Sequence, residues 1–109
     1  MVSGLICMSL FHCVFLSANV SINVVEFTEP YCLREVRGCA LYNESRVILK
    51  QDSDFDMLRA TLFHELLHFE LGPEHTEEFL IRDNAYRDYL GVHDRYLLPS
   101  EIQTFKKKE

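Results

Sequence analysis

Hydrophobic positions fall into three patterns along the chain. The first, LICMSLFHCVFLSA (Leu5 to Ala18), is apolar almost without interruption, and no charged side chain precedes Glu26. Such a run has no periodic contrast. It reads as an N-terminal helix docked on the rest of the domain, or as the core of a removed signal peptide with small residues at Ser17 and Ala18. It is short for a transmembrane helix, so any membrane contact would come through residues 1–18 alone. The second pattern is partial alternation. In NVSINVVEFT (Asn19 to Thr28), Val20, Ile22 and Val24 share one face of a strand, which Pro30 ends. CALY and RVILK, joined by Asn43-Glu44-Ser45, read as two short strands around a tight turn.

The third pattern is helical. Leu58, Leu62, Leu66 and Phe69 recur at spacings of four and three, with Ser53 or Asp54 as the N-cap and Asp56 in the first turn. Gly72-Pro73 stops that helix. A second helix follows from about Thr76, its cap, to Leu90, with Gly91 as the stop. PSEIQTF adds a last short turn. These elements predict an α+β fold: a segment over residues 1–18, then a domain over 19–109. In that domain a small three-stranded sheet packs on the long helix, with one or two further helices.

Composition narrows the picture. A chain of 109 residues supports one modest core, and 48% hydrophobic with 26% charged residues is ordinary for a globular domain. The net charge of −6 gives nucleic acid no general attraction, and the run Lys106-Lys107-Lys108 reads as a solvated tail. Four cysteines without a CxxC spacing do not build a zinc site of their own. They read as reduced thiols in a cytoplasmic chain. In a secreted chain, Cys7 and Cys13 would leave with the signal and Cys32 and Cys39 could close a hairpin disulfide. Asn19-Val20-Ser21 and Asn43-Glu44-Ser45 match the glycosylation acceptor pattern, itself a weak signal.

The candidate chemistry lies in TLFHELLHFELGPEH, Thr61 to His75. His64 and His68 are four apart and project from the same side of a helix, where both imidazoles reach one Zn²⁺ at roughly 2.0–2.1 Å. Glu65 projects about 100° round the helix from His64. That position suits a base acting on a water at the same ion rather than a ligand. On an unbroken helix His75 would lie about 10 Å beyond His68, out of reach of a shared ion. The Gly-Pro break removes that objection. His12 and His93 read as core or loop histidines.

TLFHELLHFELGPEHTEEF resembles the zincin metallopeptidases, and among them the small SprT-like, WLM and YgjP-like group. His64, Glu65 and His68 match the HExxH motif position by position. His75, followed four residues later by Phe79, resembles the third ligand and its aromatic anchor. GCALYNESRVILKQDSD is similar to the strand pair that leads into that helix. The resemblance runs from Gly38 to Leu90. His75 sits one residue later than in several of these families, so Glu74, Glu77 and Glu78 stay open as ligands; a downstream glutamate has that role in ImmA/IrrE-like zincins. LLHFELGPEH is also similar to a run in YbeY-type endoribonucleases, which usually have no counterpart of Glu65.

The resemblance implies a zinc-dependent peptidase in which His64, His68 and His75 hold Zn²⁺ and Glu65 is the catalytic base. Tyr86, Tyr89 and His93 are candidates for a further donor to the developing oxyanion. The substrate would be a peptide or protein, adding to a sheet edge such as the 47–50 strand. The alternatives are a YbeY-like metal-dependent endoribonuclease and a non-catalytic module closed by zinc.

Overall fold

A computed structural model describes residues 2–95. The expected turn in PSEIQTF and the lysine run lie outside the described residues. In chain order the elements are β1 (Val2–Cys7), β2 (Cys13–Val25), β3 (Gly38–Leu41), β4 (Arg46–Lys50), α1 (Phe55–Leu71) and α2 (Glu77–Leu90). The fold is α+β. Four strands, not three, form one mixed sheet in the order β1-β2-β4-β3, and the two helices pack against it.

The extra strand corrects the reading of residues 1–18. They form β1 and the first part of β2, an antiparallel hairpin with Leu5 opposite Phe15 and Cys7 opposite Cys13. The expected boundary at residue 18 therefore falls inside β2. Two physical causes hid the hairpin. Its outward positions are also apolar, with Leu5 67% and Phe15 57% exposed while Val14 and Leu16 are buried, so the sequence shows no alternation. Its turn over Met8–His12 also contains no Gly, Pro or Asn to mark a reversal. The reading of four free thiols is corrected too. Cys7 pairs with Cys13 and Cys32 with Cys39, so no cysteine is free.

β2 is long enough to serve two partners: Val2–Cys7 on its first part, and β4 in parallel from Ser21↔Arg46 to Val25↔Lys50. β3 and β4 are antiparallel around a 3-10 turn over Tyr42–Glu44, as the sequence suggested. β4 is thereby central. The 47–50 strand is not a sheet edge; the outer strands are β1 and β3, and β3 is the one that packs against α1. Val47 and Leu49 face the core with Val14, Leu16 and Val20. Ile22 and Val24, expected beside Val20, lie farther along β2 and are exposed.

Asp54 caps α1 by accepting from the amides of Asp56 and Met57, and Thr76 caps α2 by accepting from Phe79. The expected stripe on α1 is only part of its buried surface. Leu66 is fully buried and Leu58, Leu62 and Phe69 pack partly, but Ala60, Phe63 and Leu67 are also buried. With the sheet on one side and α2 on another, nearly every residue from Ala60 to His68 is inside. Among the described residues no helix is long and apolar enough to cross a membrane.

The first part of β2 lies beyond the reach of β4, and an ion pair covers that edge. Glu70 of α1 accepts from the amide of Phe15 at 2.6 Å, while Arg82 of α2 donates to the carbonyl of Cys13 at 2.7 Å. The two side chains also pair with each other. Together they satisfy strand groups that would otherwise need a fifth strand. Arg82 holds the Glu70 carboxyl below its usual value, with the Phe15 amide assisting against burial. A depressed carboxylate contributes stability above its unfolded pKa of about 4.3, and loses it as pH falls through the folded value. Glu70→Gln is expected to cost about 1–3 kcal/mol at neutral pH. In chelator-treated protein the difference from wild type should close as urea melts are taken down to pH 3; a constant difference would contradict this account.

Candidate metal centre

The site begins with two helical turns buried where ordinary helices place leucine. His64 and His68 lie one above the other on α1, ring centroids 4.9 Å apart, and both are buried. Gly72 then ends the helix at φ +97° and ψ −178°, a backbone region that only glycine occupies readily. This geometry does two things. The Gly72 amide closes the helix on the carbonyl of His68 at 2.9 Å, and the Gly72 carbonyl takes a hydrogen bond from His68 Nδ1 at 3.0 Å. Past Pro73 the chain doubles back, and His75 Nε2 comes to 3.3 Å from His68 Nε2.

Phe79, fully buried on the first turn of α2, underlies the cluster. Its ring centroid is 4.9 Å from that of His64, 4.6 Å from His68 and 4.9 Å from His75. Ligand nitrogens of all three histidines lie within 4.8 Å of one another, so a three-histidine site able to coordinate a metal ion is present. The donor chemistry fits. Two nitrogens on a tetrahedral ion at zinc–imidazole distances stand roughly 3.3 Å apart, the spacing found between His68 and His75. Burial, with the neighbouring histidines, lowers the pKa of both His68 and His75 and favours the neutral ring that binds metal.

Asp83 occupies the back of the site. Its Oδ2 lies 3.1 Å from His64 Nδ1 and 3.1 Å from Arg87 Nε, and Arg87 also donates to the Asp94 carbonyl at 2.8 Å. A carboxylate on Nδ1 fixes the tautomer that leaves Nε2 free, as Gly72 does for His68. Asp83 and Arg87 are both buried on the α2 face that carries Phe79 and Tyr86. That was the available signal: an acid and a base four apart on the apolar stripe of a helix are paired or functional.

Glu65 is buried beside this set but outside it. Burial, reinforced by Asp83 and opposed by His64 and Arg87, pushes its carboxyl up to about 7. It lines a cavity of about 380 Å³ with His64, Thr61, Gly38, Arg37 and Arg87. A Cβ at Gly38 would lie 2.9 Å from both the Ile48 carbonyl and Thr61 Cγ2, so glycine there lets β3 sit against α1 one turn before Glu65. Tyr42, just past β3, has its pKa raised by burial and by the charge of Glu65.

The other candidates fall elsewhere. Glu74, Glu77 and Glu78 are exposed and outside the converging set. Tyr86 packs on Phe63 and His12, Tyr89 stacks on the same group, and His93 is exposed. No family model, curated protein or solved structure matches the chain. The likeness to zincins therefore rests on the residues and geometry of the site.

Gly72→Ala meets no neighbour, so its cost is backbone strain of about 1–3 kcal/mol. Turning the carbonyl away from His68 should also weaken metal binding about tenfold to a hundredfold in chelator competition. Gly91→Ala, at φ +76° in the α2 cap, is the control. It should lower stability without changing metal affinity; an equal loss of affinity in both variants would rule out the special role of Gly72.

Proposed function

We propose that the protein is a zinc-dependent metallopeptidase in which His64, His68 and His75 hold the ion and Glu65 is the general base. One observation carries this reading: three imidazole nitrogens converge while the glutamate of the same motif lies beside them, buried and outside the set. Zn²⁺, when bound, supplies a Lewis acid for the scissile carbonyl and lowers the pKa of water to about 7. Glu65 takes the proton from the attacking water and passes it to the leaving amine. Arg37 and Arg87 line the cavity beside Glu65, each held by a carboxylate, Arg37 by Asp94 and Arg87 by Asp83.

Three converging ligands, with no fourth among the described residues, support a catalytic ion over one that merely closes the fold. The free edge of β3 supports a peptide substrate in extended form, since Gly38 holds that edge against the turn of α1 that precedes Glu65. RNA is the weaker alternative at a net charge of −6.

Metal analysis should find one zinc per chain. Glu65→Gln keeps the shape of the side chain and removes the base. It should retain zinc while hydrolysis of a casein or peptide reporter falls on the order of 10² to 10⁴-fold. His68→Ala should lose zinc and activity together. Full activity in Glu65→Gln would end the peptidase mechanism, and loss of its zinc would make Glu65 a ligand.

A further inference from the structure

The polar connection between β2 and β3 is a built wall. Thr28 is fully buried at its base, where its Oγ1 donates to the Val36 carbonyl at 3.1 Å and accepts from the Val36 amide at 2.9 Å. Glu35 accepts from the Thr28 amide at 3.0 Å and pairs with Lys50 of β4 at 3.0 Å. The Cys32–Cys39 disulfide fastens the middle of the loop to β3, and the Arg46 guanidinium lies 5.2 Å above the Tyr31 ring. Held this way, the loop keeps apolar side chains in water: Leu33 is fully exposed and Tyr31 is 43% exposed.

Between this wall and β3 lies a groove of about 490 Å³, with Tyr31, Leu33, Val36, Ala40 and Leu41 among its lining. It adjoins the cavity at Glu65, Val36 and Gly38 being common to the lining of both. Its other side is the sheet edge. The Arg37 carbonyl accepts from the Lys50 amide, so alternation along the ladder turns the backbone groups of Gly38 and Ala40 away from β4. Among the described residues nothing pairs with them.

We infer that this groove is a specificity subsite for an extended peptide segment with apolar side chains at alternate positions, one end of which reaches the metal centre. The inference rests on the peptidase reading and names its substrate class. An added strand would pair with Gly38 and Ala40, and every second side chain would point to one face. The alternation matches the chemistry offered: main-chain groups on the β3 edge, and an apolar wall for the side chains. Fixing the wall by a disulfide, an ion pair and Thr28 removes the ordering cost that a free loop would add to binding.

The test uses a fluorescein-labelled octapeptide with leucine at alternate positions, and the same peptide with serine there. Binding is read by anisotropy on zinc-loaded Glu65→Gln. The leucine peptide should bind tighter by a factor on the order of ten or more. Adding Tyr31→Ser and Leu33→Ser, both at exposed positions, should bring it down toward the serine peptide. Cys32→Ser with Cys39→Ser, folded by circular dichroism and still holding zinc, should do the same. Equal binding of the two peptides, or a leucine preference that survives removal of Tyr31 and Leu33, overturns the subsite. Leucine-selective binding without turnover in the wild type would support the groove and remove the peptidase reading. Turnover without selectivity would do the reverse.

Discussion

The carbonyl of Gly72 points back along α1 to the imidazole of His68, and the rest of the site depends on that reversal. Two histidines on a helix can share an ion, but a helix extends about 1.5 Å per residue and carries any later ligand away. Stopping α1 at φ +97° turns the chain within three residues and returns His75 to 3.3 Å from His68. The same bend sets the path into α2, whose first turn brings Phe79 under all three rings. One backbone conformation thus ends an element, orients one histidine and delivers another.

The second demand is electrostatic. Placing His64, Glu65 and His68 inside a small core costs solvation that apolar residues would not lose. α2 compensates by burying Asp83 and Arg87 beside them, so that His64 Nδ1, the carboxylate and the guanidinium form a connected chain. A pair of this kind contributes little net stability compared with well-packed apolar residues. Its effect is on orientation and charge: Asp83 helps to raise the Glu65 carboxyl while Arg87 and His64 oppose it. The position of α2 is therefore set by this buried polar chain as much as by apolar packing.

The sheet treats its free backbone in two ways. Where β2 runs past β4, Glu70 and Arg82 satisfy the strand groups and close the edge. At β3 no comparable cover exists among the described residues, and the neighbouring loop is fastened at Cys32–Cys39 with a groove left between. An open strand edge invites pairing with other chains, which proteins usually block. Here it lies next to Glu65, with the close approach to α1 that Gly38 allows.

The sequence by itself determined the elements whose local chemistry is self-contained. Asp54, Thr76, Gly72 and Gly91 carry the helix ends in their own side chains or backbone freedom, and the strands on either side of Asn43-Glu44-Ser45 read correctly from composition and spacing. The His64–His68 pair was legible for the same reason, since helical phase alone puts both on one side. Tertiary structure decided what depends on partners distant in the chain. The N-terminal hairpin was hidden because Leu5 and Phe15 are apolar on the face turned to water, erasing the alternation that distinguishes strand from helix. Which face of α1 is buried was set by the sheet and α2 together, so a single stripe could not describe it. The open edge at β3 followed from the parallel pairing of β4 with β2, a choice no local pattern encodes. His75 was legible as the third member from the Gly72-Pro73 break, whereas Asp83 as the support of His64 was decided by where α2 docks. A side chain's role at a shared ion is a matter of distance in space, and spacing along a chain predicts that distance only until the first bend.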